Sequence, residues 1–346
     1  MRGVRDADGP VVVGLDIGGT QIRAAAILST GERLGRRSVA TPLAGGLEAV
    51  YSACVAMVTG AMANLAPVDR DRVLAIGISC AGPVNPWLGR VLDPPNVRPL
   101  HDAFLADELE VRLHLPVYLE RDTNVAALGE QWLGAARGCL DFIYVTVSTG
   151  LGGAVVADGR LLLGPDGTAG EIGHVTLIEG TGPRCGCGGI GHLEAISSGS
   201  GLAGQARDYL ASAAAVGPHG PTFLEERAAF APLTGRDVAE GELAGDSVCT
   251  ALMERARRAF AIACVGWVNT FNPERIVVGG TVAQRQGERW LAPARAEIAA
   301  TGLRSPSARV QIMAAELGED VGLVGAWPLV RERHGKPAWR SQRAGG

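Results

Sequence analysis

Apolar and polar positions along this chain follow two rhythms, and each change of rhythm marks an element. Residues 11–28, VVVGLDIGGTQIRAAAIL, form a β-rich apolar run broken by a glycine turn, which predicts a hairpin. Residues 73–84, VLAIGISCAGPV, read as a buried strand running into a loop. In LPVYLERDTNVAALGEQWLGAAR a strand turns into a helix that carries Val125, Leu128, Trp132 and Ala135 on one face. Residues 142–162, FIYVTVSTGLGGAVVADGRLL, repeat the form of the first run: strand, glycine turn, strand. A long helix follows from SVCTALMERARRAFAIACVGWVNTF, with Val248, Leu252, Ala256, Phe260, Ala263 and Trp267 as its stripe. NPERIVVGGTV then turns at Asn272–Pro273 into a strand ending at Gly279–Gly280, and a last helix is expected near 318–332. Residues 203–245 read as helices with long loops, and the polar tail 334–346 as disordered.

The two glycine-turn hairpins each open an α/β region. They predict two similar halves facing one another across a cleft, the place where doubly wound sheets bind ligands. Composition narrows the class. The 346 residues are 47% hydrophobic and 20% charged, as in a globular protein. A net charge of -4 and the lack of a basic run give no reason to expect nucleic acid as a partner. The start shows no long apolar signal, and the apolar segment AFAIACVGWV is too short to span a bilayer, so a cytoplasmic protein with no membrane partner is expected. Lys336 is the only lysine, so there is none for a P-loop or a Schiff base. Cys54, Cys80, Cys139, Cys249 and Cys264 sit in apolar surroundings and read as reduced core residues.

Several short motifs carry candidate chemistry. In GLDIGGTQ, Gly18, Gly19 and Thr20 could bring backbone N–H groups close to phosphate, with Asp16 placed to hold Mg²⁺ directly or through water. The same residues also suit an ordinary tight hairpin. VSTGLGG, with Thr149 and Gly150, poses the same choice. Neither motif is a dinucleotide-binding or P-loop fingerprint. Asp122 stands at a strand end just before a helix. There it could orient a hydroxyl and accept its proton during phosphoryl transfer, or simply cap the helix. HVTLIEGTGPRCGCGGIGHLE, residues 174–194, offers Cys185, Cys187, His174 and His192. These are four nitrogen and sulfur donors of the kind tetrahedral zinc prefers, or else two free thiols in a glycine loop.

Taken in order, five motifs resemble the ROK family of sugar kinases and sugar-responsive repressors: Asp16-Ile17-Gly18-Gly19-Thr20, Asp122-x-Asn124, Glu171-x-Gly173-His174, Cys185-x-Cys187-Gly188 with Gly191, and Ile276 to Gly280. The resemblance spans roughly residues 11–330 and implies a two-domain α/β fold, actin-like, hexokinase-like and ribonuclease H-like, with a central cleft. The implied domains are 1–121, joined by the C-terminal helix at about 318–333, and 122–317 with the zinc loop 174–194. It further implies ATP and Mg²⁺ as cofactors and a hexose or N-acetylhexosamine as substrate. Asp122 would be the catalytic base. Gly82, Arg121, Glu171, His174 and Glu194 would face the sugar. Gly18, Gly19, Thr20, Thr149 and Gly150 would take the phosphates, with Gly279 and Gly280 beside adenine. A homodimer or homotetramer is expected by the same resemblance.

Three departures stand out. His192 replaces a cysteine of the family pattern, and His174, Cys185, Cys187 and His192 are expected to hold a structural zinc of zero net site charge. Ser148 stands where glycine begins the second phosphate loop. Arg121 stands where the family has a sugar-contacting asparagine, and it either points to solvent or lines the pocket and changes the choice of sugar. About ten residues precede Val11, fewer than a helix-turn-helix needs, so the kinase branch is expected over a catalytically weak sugar-binding regulator. A zinc hydrolase is disfavoured because four protein ligands leave no open metal position.

Overall fold

The computed structural model describes residues 9–213 and 222–336. By its internal contacts the chain forms two compact units: Met1–Gly138 with Leu161–Ala169 and Glu316–Gly346, and Cys139–Arg160 with Gly170–Ala315.

The first unit is built on β1 (Val11–Ile17), β2 (Gln21–Ile27), β3 (Arg33–Ala40), β4 (Val73–Cys80) and β7 (Val117–Arg121), in the order β3-β2-β1-β4-β7. A separate two-stranded ribbon, β5 (Val84–Asn85) and β6 (Arg90–Val91), packs into the same core through Val84 and Val91. β1 and β2 form the expected antiparallel hairpin, while β4 and β7 add in parallel. All seven residues of β1 are buried, because the sheet is covered on both faces. Val13, Leu15 and Ile17 pack with Val50, Cys54 and Val58 of the helix Gly46–Ala63. Val12 packs on the other face with Leu323, Ala326 and Trp327 from the C-terminal segment. Gly14 lets that segment approach closely: a Cβ there would lie 2.7 Å from the Leu323 carbonyl oxygen.

Among the described residues, the helical stretch Leu43–Ala63 is long and apolar enough to cross a membrane by length and composition. Its Val50, Tyr51, Cys54, Val58 and Ala61 are buried in this unit's core.

The helix Asp122–Leu133 departs from a one-sided pattern. Val125, Leu128 and Ala135 are buried as expected, and Trp132 stacks on Trp327 at 4.6 Å. Yet every residue from Thr123 to Glu130 is buried, because Val321–Val324 and Ala326–Arg333 also pack against this helix. The C-terminal region is therefore two short helices that break at Gly325, where a Cβ would meet the Val125 carbonyl oxygen. His334 lies 3.2 Å from the Tyr118 hydroxyl, and residues 337–346 of the tail fall outside the described residues.

The second unit repeats the plan. β8 (Phe142–Val147), β9 (Leu151–Ala157), β10 (Arg160–Leu161), β11 (Arg275–Gly279) and β12 (Gln311–Ala314) run in the order β10-β9-β8-β11-β12. β8 and β9 again make a hairpin, with β11 and β12 parallel to β8. The helix Ser247–Phe271 lies in the core through Ala256, Phe260, Ala263 and Trp267. In its first two turns Cys249 and Met253 take the buried positions, leaving Val248 and Leu252 only partly covered. Within 203–245 the helices are Gly199–Ala213, Phe223–Ala228 and Gly235–Leu243, with 214–221 outside the described residues. The five cysteines expected in the core are buried and form no disulfide.

Candidate functional site

Strand register aligns three expected positions in the first unit. Ile17 pairs with Cys80, and Cys80 with Arg121, so the last residues of β1, β4 and β7 form one row. Gly18–Thr20, Gly82 and Asp122 follow that row on the same edge, at the carboxyl ends of the strands where such sheets bind ligands. The first loop closes by Gly18 N–H donating to Gln21 O at 3.0 Å, and the Thr41 hydroxyl donates to Gly18 O at 2.6 Å. Gly82 has φ +106 and a Cβ there would strike Pro94 at 2.7 Å, so only glycine fits.

Asp16 is buried and already engaged. Its Oδ2 accepts from Arg23 Nε at 3.1 Å and its Oδ1 from the Ser79 hydroxyl at 2.7 Å. Direct coordination of Mg²⁺ would have to displace the guanidinium, whereas contact through water would not. Sequence reasoning missed both partners. The signal for Arg23 was present, since the hairpin places it directly across from Asp16.

Asp122 is the only residue from Leu119 to Glu130 that is not buried. It is the first residue of its helix, not a preceding cap, and its Oδ1 accepts the Thr123 N–H at 2.7 Å. Around it runs a buried polar network. Glu120 Oε1 accepts from Arg121 N–H at 2.8 Å and from Asn124 Nδ2 at 3.0 Å, while Oε2 takes the Arg333 guanidinium. Arg121 is 5% exposed, so it does not point to solvent. Its Nη2 donates to the Ala169 carbonyl at 2.9 Å and to Asn124 Oδ1 at 3.3 Å. Burial first, then the nearby Asp122 charge, pushes the Cys80 thiol well above its usual value.

The second unit has a matching edge. Val147 pairs with Leu151 around the loop Ser148-Thr149-Gly150, and Gly279 pairs with Thr146. Gly280 (φ +88) leaves no room for a side chain against the Val147 carbonyl, so Gly279–Gly280 lies beside the loop. The Ser148 and Thr281 hydroxyls stand 3.0 Å apart, a pairing that glycine at 148 could not make. Glu194 reaches the same loop, its Oε2 accepting the Leu151 N–H at 2.9 Å.

His174, Cys185, Cys187 and His192 do converge, with one ligand atom of each lying within 4.8 Å of all the others. Cys185 Sγ is 3.7 Å from His174 Nδ1, and Cys187 Sγ is 3.3 Å from His192 Nδ1. A tetrahedral zinc with Zn–S of about 2.3 Å and Zn–N of about 2.0–2.1 Å needs S···N edges of about 3.6 Å. The donor set and spacing fit such an ion. His192 fits in place of cysteine because residue 189 is glycine; a Cβ there would meet the His192 ring at 2.1 Å. With Nδ1 on the cluster, His174 turns Nε2 toward Glu171, 3.8 Å from Oε2. Cys185 Sγ also lies 3.4 Å from Glu194 Oε1, and burial pushes this thiol up to about 12, so a bound cation must displace its proton.

The paired five-stranded sheets, each opened by a hairpin, define an actin-like ATPase fold. Residues 12–333 match the ROK family, and the chain belongs to it. It is 31% identical over 322 residues to a glucokinase of Halalkalibacterium halodurans, covering 93% of this chain and 95% of that protein. An N-acetylmannosamine kinase of Escherichia fergusonii is 34% identical over 313 residues, covering 90% and 95%. Among solved structures, a ROK family glucokinase from Streptomyces griseus in complex with glucose and AMPPNP superposes with a TM-score of 0.73 at 33% identity, covering 93% of this chain and 99% of that one.

Proposed function

We propose that this protein transfers the terminal phosphoryl group of ATP to a hydroxyl of a hexose or N-acetylhexosamine. One observation carries the reading: a lone solvent-reaching carboxylate, Asp122, rises from an otherwise buried strand–helix joint, on the edge that also carries the Gly18–Thr20 turn and Gly82. Family membership and relatives named as glucokinase and N-acetylmannosamine kinase support it.

In this reading Asp122 orients the accepting hydroxyl and takes its proton. Phosphoryl transfer passes through a loose transition state, so alignment matters more than base strength. Gly82, Glu171, His174 and Glu194 bind the sugar. Gly18, Gly19 and Thr20, with Thr149 and Gly150, form the two phosphate loops, the Gly18 N–H staying on Gln21 O to close the first, and Gly279 and Gly280 border the adenine. Mg²⁺ held by the phosphates, with Asp16 acting through water, would neutralise charge on the nucleotide. Zinc at His174, Cys185, Cys187 and His192 would be structural: with four protein ligands it has no open position. With Nδ1 on the ion, His174 would carry its proton on Nε2, beside Glu171. We place the enzyme in the cytoplasm, as a homodimer or homotetramer.

The test is ADP release with a panel of glucose, mannose, fructose, N-acetylglucosamine and N-acetylmannosamine. At least one neutral sugar should give turnover that depends on ATP. Full sugar binding by calorimetry with no ADP release from any sugar would instead indicate a sugar-binding regulator.

A further inference from the structure

The nine residues Leu161–Ala169 are an excursion: the chain enters the first unit at Leu161 and leaves it after Ala169. Its start is fixed by packing, since Leu161 joins Val125, Leu128 and Leu329 in one apolar cluster. Part of its middle is fixed by close approach, because Gly167 leaves no room for a side chain against Pro86. Its end is fixed by a hydrogen bond from Arg121 Nη2 to the Ala169 carbonyl at 2.9 Å. Thus the strand and helix that flank Asp122 hold both ends of the excursion.

We propose that Arg121 is a positioning residue for the loop that continues into Glu171 and His174, and that the guanidinium is not itself a sugar contact. Three features of the bond support this. The donor is buried and charged, so the bond is of the stronger kind. The guanidinium is aimed by Asn124 Oδ1, and the Asn124 amide is in turn held by Glu120, which also pairs with Arg333. The acceptor is a main-chain carbonyl two residues before Glu171, and the donor side chain belongs to the residue just before Asp122. One hydrogen bond therefore gives a short path from the proposed base to the proposed sugar-binding loop. Both bonds leave one terminal nitrogen, so a lysine ammonium can replace them in part, whereas methionine has no donor at all.

The sugar half of this inference rests on the kinase reading; the anchoring half does not. The test uses the full-length protein carrying R121M, which keeps buried volume while removing the donors, alongside R121K. Amide exchange is measured first, without sugar or nucleotide. Over residues 163–172 exchange should quicken by roughly ten- to a hundred-fold in R121M, as expected for loss of a charge-assisted hydrogen bond. R121K should be intermediate, and the amides of β1 and β4 should stay at their native rates. Turnover is measured next: kcat should fall by a similar factor for every sugar used, with the ranking of sugars unchanged. Native exchange over 163–172 in folded R121M would overturn the anchoring role, whatever the protein's activity. Changed exchange together with a reordered sugar ranking would overturn the claim that Arg121 is not a sugar contact.

Discussion

Glutamine in place of Glu130 removes an acceptor from a side chain with no solvent to compensate. Glu130 is fully buried. Its Oε2 accepts the Ala135 N–H at 2.7 Å and its Oε1 accepts the Leu317 N–H at 2.9 Å. The Glu316 N–H lies 3.1 Å and 3.2 Å from the two oxygens. Glutamine has the same shape but only one oxygen, so its NH₂ group must face at least one backbone donor that it cannot satisfy. An unpaired buried donor costs about 1–3 kcal/mol, and weakening the remaining bonds from charged to neutral adds about 1 kcal/mol. The expected loss for Glu130→Gln is therefore about 2–4 kcal/mol. Urea unfolding followed by tryptophan fluorescence suits the measurement, because Trp132 stacks on Trp327 in the same unit. With a slope of about 2 kcal/mol/M the midpoint should fall by about 1–2 M. Amide exchange should quicken at Glu316 and Leu317, where the chain re-enters the first unit. A midpoint shift worth under about 0.5 kcal/mol, with those two amides unchanged, would refute the reasoning.

Asp122→Asn should lower kcat by about 10²–10⁴-fold while sugar binding measured by calorimetry persists; near-native kcat would end its role as base. His192→Ala should lose metal, read by elemental analysis of the purified protein, and full zinc content in that variant would remove His192 as a ligand. Gly14→Val should destabilise the first unit by about 1–3 kcal/mol, through the 2.7 Å approach of the Leu323 carbonyl, and the loss should appear as a lower urea midpoint.

The sequence by itself determined the two hairpins, the buried strands, the core cysteines and the order of motifs, because each depends on neighbours within a few residues. It also placed all four metal donors in or beside one glycine-rich loop, where short contour length makes convergence simple. Periodicity failed where a layer remote in sequence intervened. The helix Asp122–Leu133 shows a one-sided stripe, yet the C-terminal segment covers its other side, so Asn124 and Glu130 become internal acceptors and donors and are not surface groups. Only the tertiary structure decided that Arg121 is buried on the Ala169 carbonyl, that Ser79 joins Arg23 on Asp16, and that Cys249 and Met253 replace Val248 and Leu252 in the core. In each case the deciding partner is set by which surfaces meet after folding. A buried polar atom must find a hydrogen-bond partner wherever the fold supplies one, and the local pattern of the chain carries no record of that choice.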